Sequence, residues 1–393
     1  AGKESFSAVI HKIAIASVAL GIAIMVLSFM ILGGFQNNIK DKIYSFSGHL
    51  QVKKFSFSNS MEEDPVLIQA QLLDSLRQEN YIGHIQGFAH KPGIVSINDE
   101  VFGLLFKGIG SDFDWQRFGS YLVKGEPLTF NTEDLFHNDI LISEQKALQM
   151  QVDVGERFVI YFPMDPPRTR TVTIKGIYKT GLEDFDEQMV LGDIDLIRFL
   201  NNWQNGEVGG YEVFVKNINN IEASENALID RLSIDTYTER MDEKFSNIFD
   251  WLNLLSQNVY ILIALILFVA CFNMVSVLFI LIMERTAMIG ALKALGAQNQ
   301  LIRKIFAWNG SRLVLKGMLV GNGLSLLIGF LQYQFSIIPL DAATYYMSYV
   351  PIQWDWLSII GINLLTLLLV SLTLILPTAL ISRISPVKAI RFD

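Results

Sequence analysis

The sequence predicts an α-helical membrane protein with four transmembrane helices and one large mixed α/β domain on the outer side of the membrane. Three observations predict it. Of the 393 residues, 51% are hydrophobic and only 18% charged, whereas a soluble domain carries about 25% charged residues. Four apolar runs, 13–32, 259–282, 313–330 and 357–376, reach or approach the ~20 helical residues that a hydrocarbon core requires. Charge is segregated as well. Residues 33–256 hold 20 Lys+Arg and 34 Asp+Glu, leaving 11 basic and 5 acidic residues for the rest of the chain.

Segment 1–32 contains the first span. Its apolar run is longer than the ~7–15 residues of a signal-peptide h-region and leads into Gly33-Gly34-Phe35-Gln36 with no A-x-A-like cleavage site, so it reads as retained. Residues 33–256 contain no run of spanning length and form the outer domain. Alternating segments at 49–53, 158–162, 171–177 and 211–215 predict strands. Helices are predicted from Asp64-Pro65 through Ile68, Leu72, Leu73 and Leu76, and over 143–150 and 221–232. Further along come span 257–282, loop 283–312, span 313–330, loop 331–356, span 357–376 and tail 377–393.

Cations decide the orientation. Lys3 and Lys12 precede the first span, and Arg285, Lys293, Arg303, Lys304 and Arg312 lie between the second and third. Arg383, Lys388 and Arg391 follow the fourth. Loop 331–356 has no Lys or Arg. The positive-inside rule puts both termini and 283–312 in the cytoplasm, with 33–256 and 331–356 outside.

Catalytic chemistry is poorly represented. The chain has no G-x-x-x-x-G-K-[ST] phosphate loop and no H-E-x-x-H. Its one cysteine, Cys271, lies in an apolar run and can form no intrachain disulfide. Glu183, Asp184, Asp186 and Glu187 lack EF-hand spacing and read as a solvated acidic turn. Neither a metal nor a nucleic acid is expected.

Loop 283–312 is the most informative stretch. Met288, Ile289, Leu292 and Leu295 recur at helical spacing, with Glu284, Arg285 and Lys293 keeping the element wet. Two readings fit: a short amphipathic helix offering an apolar face to a partner, or one resting on lipid headgroups. Gly290 allows close approach and Gly296 suits a helix end. Gly317-Met318-Leu319-Val320-Gly321 is a G-x-x-x-G motif that suits helix packing.

Residues 289–297 resemble the I-G-x-L-K-A-L-G-A signature of the FtsX-like ABC-transporter permeases, the group of MacB and the lipoprotein-releasing (Lol) permeases. Met288 departs from the pattern, because the family often has an acidic residue there. The tail Pro386-Val387-Lys388-Ala389-Ile390-Arg391 looks like the family's P-x-x-A-L-R, with Ile390 replacing Leu. Residues 13–23, Gly34-Phe35-Gln36, His49-Leu50-Gln51, 139–143, 154–157 and 176–181 are similar to the LolC/LolE branch.

The resemblance implies an inner-membrane, multi-pass permease with a MacB-like periplasmic domain. It would extract acylated lipoproteins and pass them to a LolA-like periplasmic carrier. Such a permease works with a LolD-like ATPase dimer, which holds the ATP and Mg, and with a second permease subunit, identical or paralogous. This chain itself needs no cofactor. Glu284, Arg285, Met288, Ile289, Gly290, Leu292, Lys293, Leu295 and Gly296 would form the ATPase-coupling segment. Met25, Phe29 and Met30 of the first span and Phe268, Phe272 and Met274 of the second would line an acyl cavity beside membrane lipid, since flexible thioethers fill irregular apolar gaps. Met164, Pro166, Pro167, Arg168 and Arg170, between two strand-like segments, stand where carrier-binding relatives have a hook; a plain surface hairpin fits them equally. The alternatives are a MacB-like exporter and an FtsX-like regulator of a cell-wall hydrolase.

Overall fold

The computed structural model describes residues 6–56, 62–97, 99–130 and 135–380. The chain divides into two compact units. One comprises Ala1–Asn37, Asp250–Leu340 and Tyr349–Asp393, the other Asn38–Phe249 and Asp341–Ser348. Helix α1 (Phe6–Ser47) contributes to both and continues well beyond its apolar run.

The Asn38–Phe249 unit is built on a ten-stranded mixed sheet. Its strands are β1 (Leu50–Lys54), β2 (Ile82–Ile97), β3 (Glu100–Ile109), β4 (Leu122–Gly125) and β5 (Asp139–Ser143), followed by β6 (Arg157–Phe162), β7 (Arg168–Tyr178), β8 (Met189–Asp193), β9 (Gly210–Val215) and β10 (Thr236–Arg240). The order is β10-β1-β9-β2-β3-β8-β5-β7-β4, and β6 pairs with β2 and β7. Pairs β3–β8 and β5–β7 are parallel; the others are antiparallel. Helices α2 (Ala70–Arg77), α3 (Glu144–Met150), α4 (Ile194–Asn201) and α5 (Ile221–Ile229) belong to the same unit.

Local chemistry explains several of these elements. On β6, Phe158, Ile160 and Phe162 point into the core while Arg157, Val159 and Tyr161 face out, a period-2 pattern. Strand β9 lies between β1 and β2 and is buried at all six positions. Ser143 caps α3 by accepting the Lys146 N–H at 3.0 Å, and Asp193 caps α4 by accepting the Asp195 N–H at 2.9 Å.

The helix expected from Asp64-Pro65 begins only at Ala70. Residue Val66 instead pairs with Val208 in both directions, at 2.7 and 3.0 Å, which holds the backbone extended. The third predicted helix ends at Ile229, three residues short of the expected limit. The acidic turn is not simply solvated. Asp186 is buried and accepts the Thr180 N–H (3.1 Å), the Thr180 hydroxyl (2.7 Å) and the Gly181 N–H (2.7 Å).

The long hairpin β2–β3 was not legible in the sequence. Its buried faces carry Gln86, Lys91 and Lys107, which break the apolar alternation. Each is matched by a partner distant in sequence. Lys107 pairs with Glu212 at 2.6 Å, Gln86 donates to Glu212 at 2.8 Å, and Lys91 reaches Glu62 at 2.8 Å and Asn201 at 2.7 Å.

Buried His49, just before β1, accepts the Val215 N–H through Nδ1 at 2.8 Å and packs edge-on against Tyr44. Burial pushes its imidazole from 6.5 down to about 4; the charge of Arg117 acts in the same direction and that of Asp242 against it. The folded value lies below the unfolded one, so the unfolded chain takes up the proton first. The stabilisation is therefore complete above pH 6.5 and is lost as pH falls towards 4. Between pH 6.5 and 5 the thermal midpoint should fall more steeply in the wild type than in a His49→Asn variant, and parallel curves in scanning calorimetry would refute this.

In the other unit, α6 (Ser246–Glu284), α7 (Thr286–Ala294), α8 (Asn299–Phe335) and α9 (Trp356–Thr373) join the first part of α1. Among the described residues four helices, α1, α6, α8 and α9, are long and apolar enough to cross a membrane. Val18, Ile22, Val26, Leu278, Val314 and Val370 are among the residues that form their shared interior. Polar side chains stitch the helices together. Asn322 and Asn363 exchange hydrogen bonds of 2.7 and 3.0 Å, Asn273 donates to Ser17, and Gln36 donates to Ser256 at 2.5 Å.

Candidate functional site

The loop singled out by its spacing forms α7, which follows α6 after the single residue Arg285. It ends as Gly296 predicts. Gly296 has φ +90°, its N–H donates to Lys293 O at 3.0 Å, and the Ala297 N–H reaches Leu292 O at 2.9 Å. This double bond is the Schellman arrangement that glycine favours.

The four apolar residues of this segment do not share one face. Ile289 is fully buried in the interior of the helical unit, and Leu292 packs against it. Met288 is exposed, and Leu295 is 86% exposed. Glu284 and Arg285 are also exposed, Gly290 is buried and Lys293 is half-buried. Burial and the charge of Arg303 lower the Lys293 pKa. The segment is thus anchored through Ile289 and Leu292 and presents Met288 and Leu295 outward.

The six residues expected to line a cavity also separate. Met25, Met30 and Met274 are buried in the helical interior, where the Met30 methyl lies 2.5 Å from the point a Cβ on Gly329 would occupy. Phe29 packs on the rim of that interior and meets Tyr260 edge-on at 6.0 Å. Phe268 and Phe272 point outward. Within one chain, the methionines fill packing space and the α6 phenylalanines form an outer face.

Met164, Pro166, Pro167, Arg168 and Arg170 lie on the β6–β7 hairpin. The arginines, expected to be free for a carrier, are used within the domain. Arg168 donates to Phe199 O (3.0 Å) and Leu200 O (3.2 Å), carbonyls at the end of α4 that have no helical partner. The Arg170 guanidinium lies 5.0 Å from the Phe199 ring centre and 5.8 Å from that of Phe136. Met164 packs against the core, which leaves Asp165, Pro166 and Pro167 as the exposed tip. The tail motif 386–391 lies outside the described residues.

Comparison with known proteins places these elements. The family model of the MacB-like periplasmic core domain matches residues 13–231. That of the FtsX-like permease C-terminal region matches 260–386. The chain belongs to the FtsX-like permeases with a MacB-like periplasmic core domain. It is similar to the "Lipoprotein-releasing system transmembrane protein LolC" of Neisseria meningitidis serogroup B, with 23% identity covering 100% of this chain and 96% of the relative. The LolC protein of Xylella fastidiosa strain Temecula1 is 21% identical over the same shares. LolE of Haemophilus influenzae is 20% identical, covering 99% of this chain and 95% of its own.

In this FtsX-like permease, the sheet-built unit is the periplasmic core domain and the long apolar helices form the membrane part. Sequence reasoning overlooked two contacts of the membrane part. A Cβ on Gly34 would lie 2.6 Å from Pro351 O, and one on Gly33 2.6 Å from Gln353 Oε1, so both glycines allow close approach by the chain leading into α9. The signal was present as a Gly-Gly pair, which was read only as the end of the first apolar run. The Asn322–Asn363 pair was equally invisible, because its members are 41 residues apart.

Proposed function

We propose that this permease is a subunit of an ABC transporter that extracts lipoproteins from the inner membrane and hands them to a periplasmic carrier. ATP hydrolysis belongs to a separate cytoplasmic ATPase. One observation carries the reading: alignment with proteins named for lipoprotein release runs through 100% of this chain and 96% of the relative, both units included. Shared possession of the core domain alone would favour a MacB-like exporter equally. The Lys/Arg distribution supports a topology with both termini and α7 in the cytoplasm and the core domain in the periplasm.

In this reading α7 is the coupling helix. Met288 and Leu295 insert into a LolD-like ATPase dimer, while Ile289 and Leu292 carry its movement into the helical interior. Phe268 and Phe272 on α6 face acyl chains or a second permease subunit, identical or paralogous. The exposed tip Asp165-Pro166-Pro167 is the part of the hairpin left for a LolA-like carrier. This chain acts mechanically and needs no cofactor.

Charge placement on α7 tests the reading. Met288→Glu and Leu295→Glu should abolish co-purification of the co-expressed ATPase while leaving the permease folded, whereas Ile289→Glu should unfold it by burying an unpaired charge. Retention of the ATPase at wild-type yield by both exposed variants would refute the coupling role. Native mass spectrometry of the wild-type complex should find two permeases, two ATPases and an acylated lipoprotein. A periplasmic adaptor or a hydrolase in place of the cargo would favour the exporter or the regulator.

A further inference from the structure

Helix α8 begins with a row of side chains that neither the coupling segment nor the interior of the helical unit uses. Lys304, Trp308, Arg312 and Lys316 follow one another at intervals of four, so they lie along one slowly turning stripe. All four are exposed, and Trp308 is 62% so. The Arg312 guanidinium stands 5.7 Å from the Trp308 ring centre. None of the three cations has a carboxylate partner among the described residues. Lys304, Ile305, Ala307, Trp308 and Ser311 line a shallow depression of about 560 Å³.

We infer that this stripe binds the headgroup of an anionic phospholipid, in the leaflet on the α7 side of the membrane. Two further observations favour lipid over a protein partner. The first is depth. At the other end of α8, Tyr333 is exposed and meets Trp354 edge-on at 6.4 Å, and Trp354 in turn stacks on Trp356 at 6.1 Å, an aromatic girdle of the kind found at membrane–water interfaces. Trp308 lies 25 residues before Tyr333, about 37 Å along a helix rising ~1.5 Å per residue. A bilayer has a hydrocarbon core of about 30 Å and is about 40–45 Å thick with its headgroups. Trp308 therefore stands at headgroup level when Tyr333 does, with Lys304 further out and Arg312 near the edge of the hydrocarbon core.

The second is the polarity of the face. Beyond Arg312 the exposed side chains beside Lys316 are Leu315, Leu319 and Val320. Cations at one end and apolar surface beyond reproduce the order of a phospholipid, headgroup then tails. Lys316 lies nearest the apolar stretch and can extend its ammonium back towards the phosphate. The Ser311 hydroxyl adds a neutral donor. In a zwitterionic lipid the ammonium of the headgroup competes with these cations, so anionic lipids are preferred.

The test is native mass spectrometry of the full chain titrated with equimolar phosphatidylglycerol and phosphatidylethanolamine. The wild type should retain phosphatidylglycerol at least tenfold over phosphatidylethanolamine. Lys304→Gln/Arg312→Gln should bring the ratio within twofold of one, and Trp308→Leu should lower it partly. All three side chains are exposed, so the variants should keep wild-type helicity by circular dichroism; a Lys216→Gln control in the core domain should not change the ratio. An unchanged ratio in the double variant, or no preference in the wild type, overturns the site. Loss of the preference on assembly with an ATPase or a second permease also overturns it, because the stripe would then be a protein interface.

Discussion

Glu212→Ala should lower the unfolding midpoint of the core domain by roughly 6–20 °C, the effect of about 3–5 kcal/mol on a unit of this size. The carboxylate is completely buried and the Lys107 side chain is only 2% exposed. Glu212 receives the Lys107 ammonium at 2.6 Å, the Gln86 amide at 2.8 Å and the Gln51 amide at 3.4 Å. Lys107 also donates to Phe46 O, and its ammonium lies over the rings of Phe46 and Phe88 at 5.2 and 5.7 Å. Removing the carboxylate leaves an ammonium in the core with one carbonyl and two ring faces and no counter-charge. The cost is that of an uncompensated buried ion, which exceeds the net worth of the pair. Lys107→Met/Glu212→Gln removes both charges and should recover most of the loss. Thermal melts of the full chain, with hydrogen exchange read on β3 and β9, separate these outcomes. A midpoint within 2 °C of wild type for Glu212→Ala would show that the pair is not structurally required.

Gly321→Leu should also destabilise the membrane part, though by less, and Gly317→Leu similarly. A Cβ on Gly321 would sit 2.5 Å from Ala19 O and 2.9 Å from Ile22 Cβ; one on Gly317 would sit 2.7 Å from Val18 Cβ. The obstacle at Gly321 includes backbone, which cannot turn aside, so α1 and α8 must separate. Overpacking of about 1–3 kcal/mol, corresponding to roughly 2–12 °C, is the expected scale. Gly323 provides the internal control. A Cβ there meets nothing within 4 Å, and Gly323→Ala should stabilise α8 by up to about 1 kcal/mol through helix propensity alone. Size-exclusion recovery after heating would distinguish the three. Equal midpoints for Gly321→Leu and wild type would mean that the close approach of α1 and α8 contributes little.

Much of the architecture was open to reading one residue at a time. The apolar runs of α1, α6, α8 and α9 announce themselves because hydrocarbon tolerates no unpaired backbone group, so each run must be helical and long. The end of α7 at Gly296 and the cap of α3 at Ser143 are equally local, since each rests on one residue's backbone freedom or side-chain oxygen. The same holds for β6, whose alternation survives because only one of its faces is buried.

What the amino-acid sequence could not reveal was direction and pairing. Met288, Ile289, Leu292 and Leu295 are equally apolar, and only the packing of the helical unit buries Ile289 while leaving Leu295 outside. Arg168 and Arg170 look free on a hairpin until the end of α4, 31 residues further on in the case of Phe199 and Arg168, supplies carbonyls and a ring. Lys107 on β3 is buried only because Glu212, 105 residues later, comes alongside. By itself the sequence determined that the long apolar helices exist and that charge is segregated between them and the core domain, because these depend on chain length and solvent. The tertiary structure alone decided which polar groups could be buried and which apolar ones were left exposed. A charge or an amide enters a low-dielectric interior only when a matching partner arrives from elsewhere in the chain.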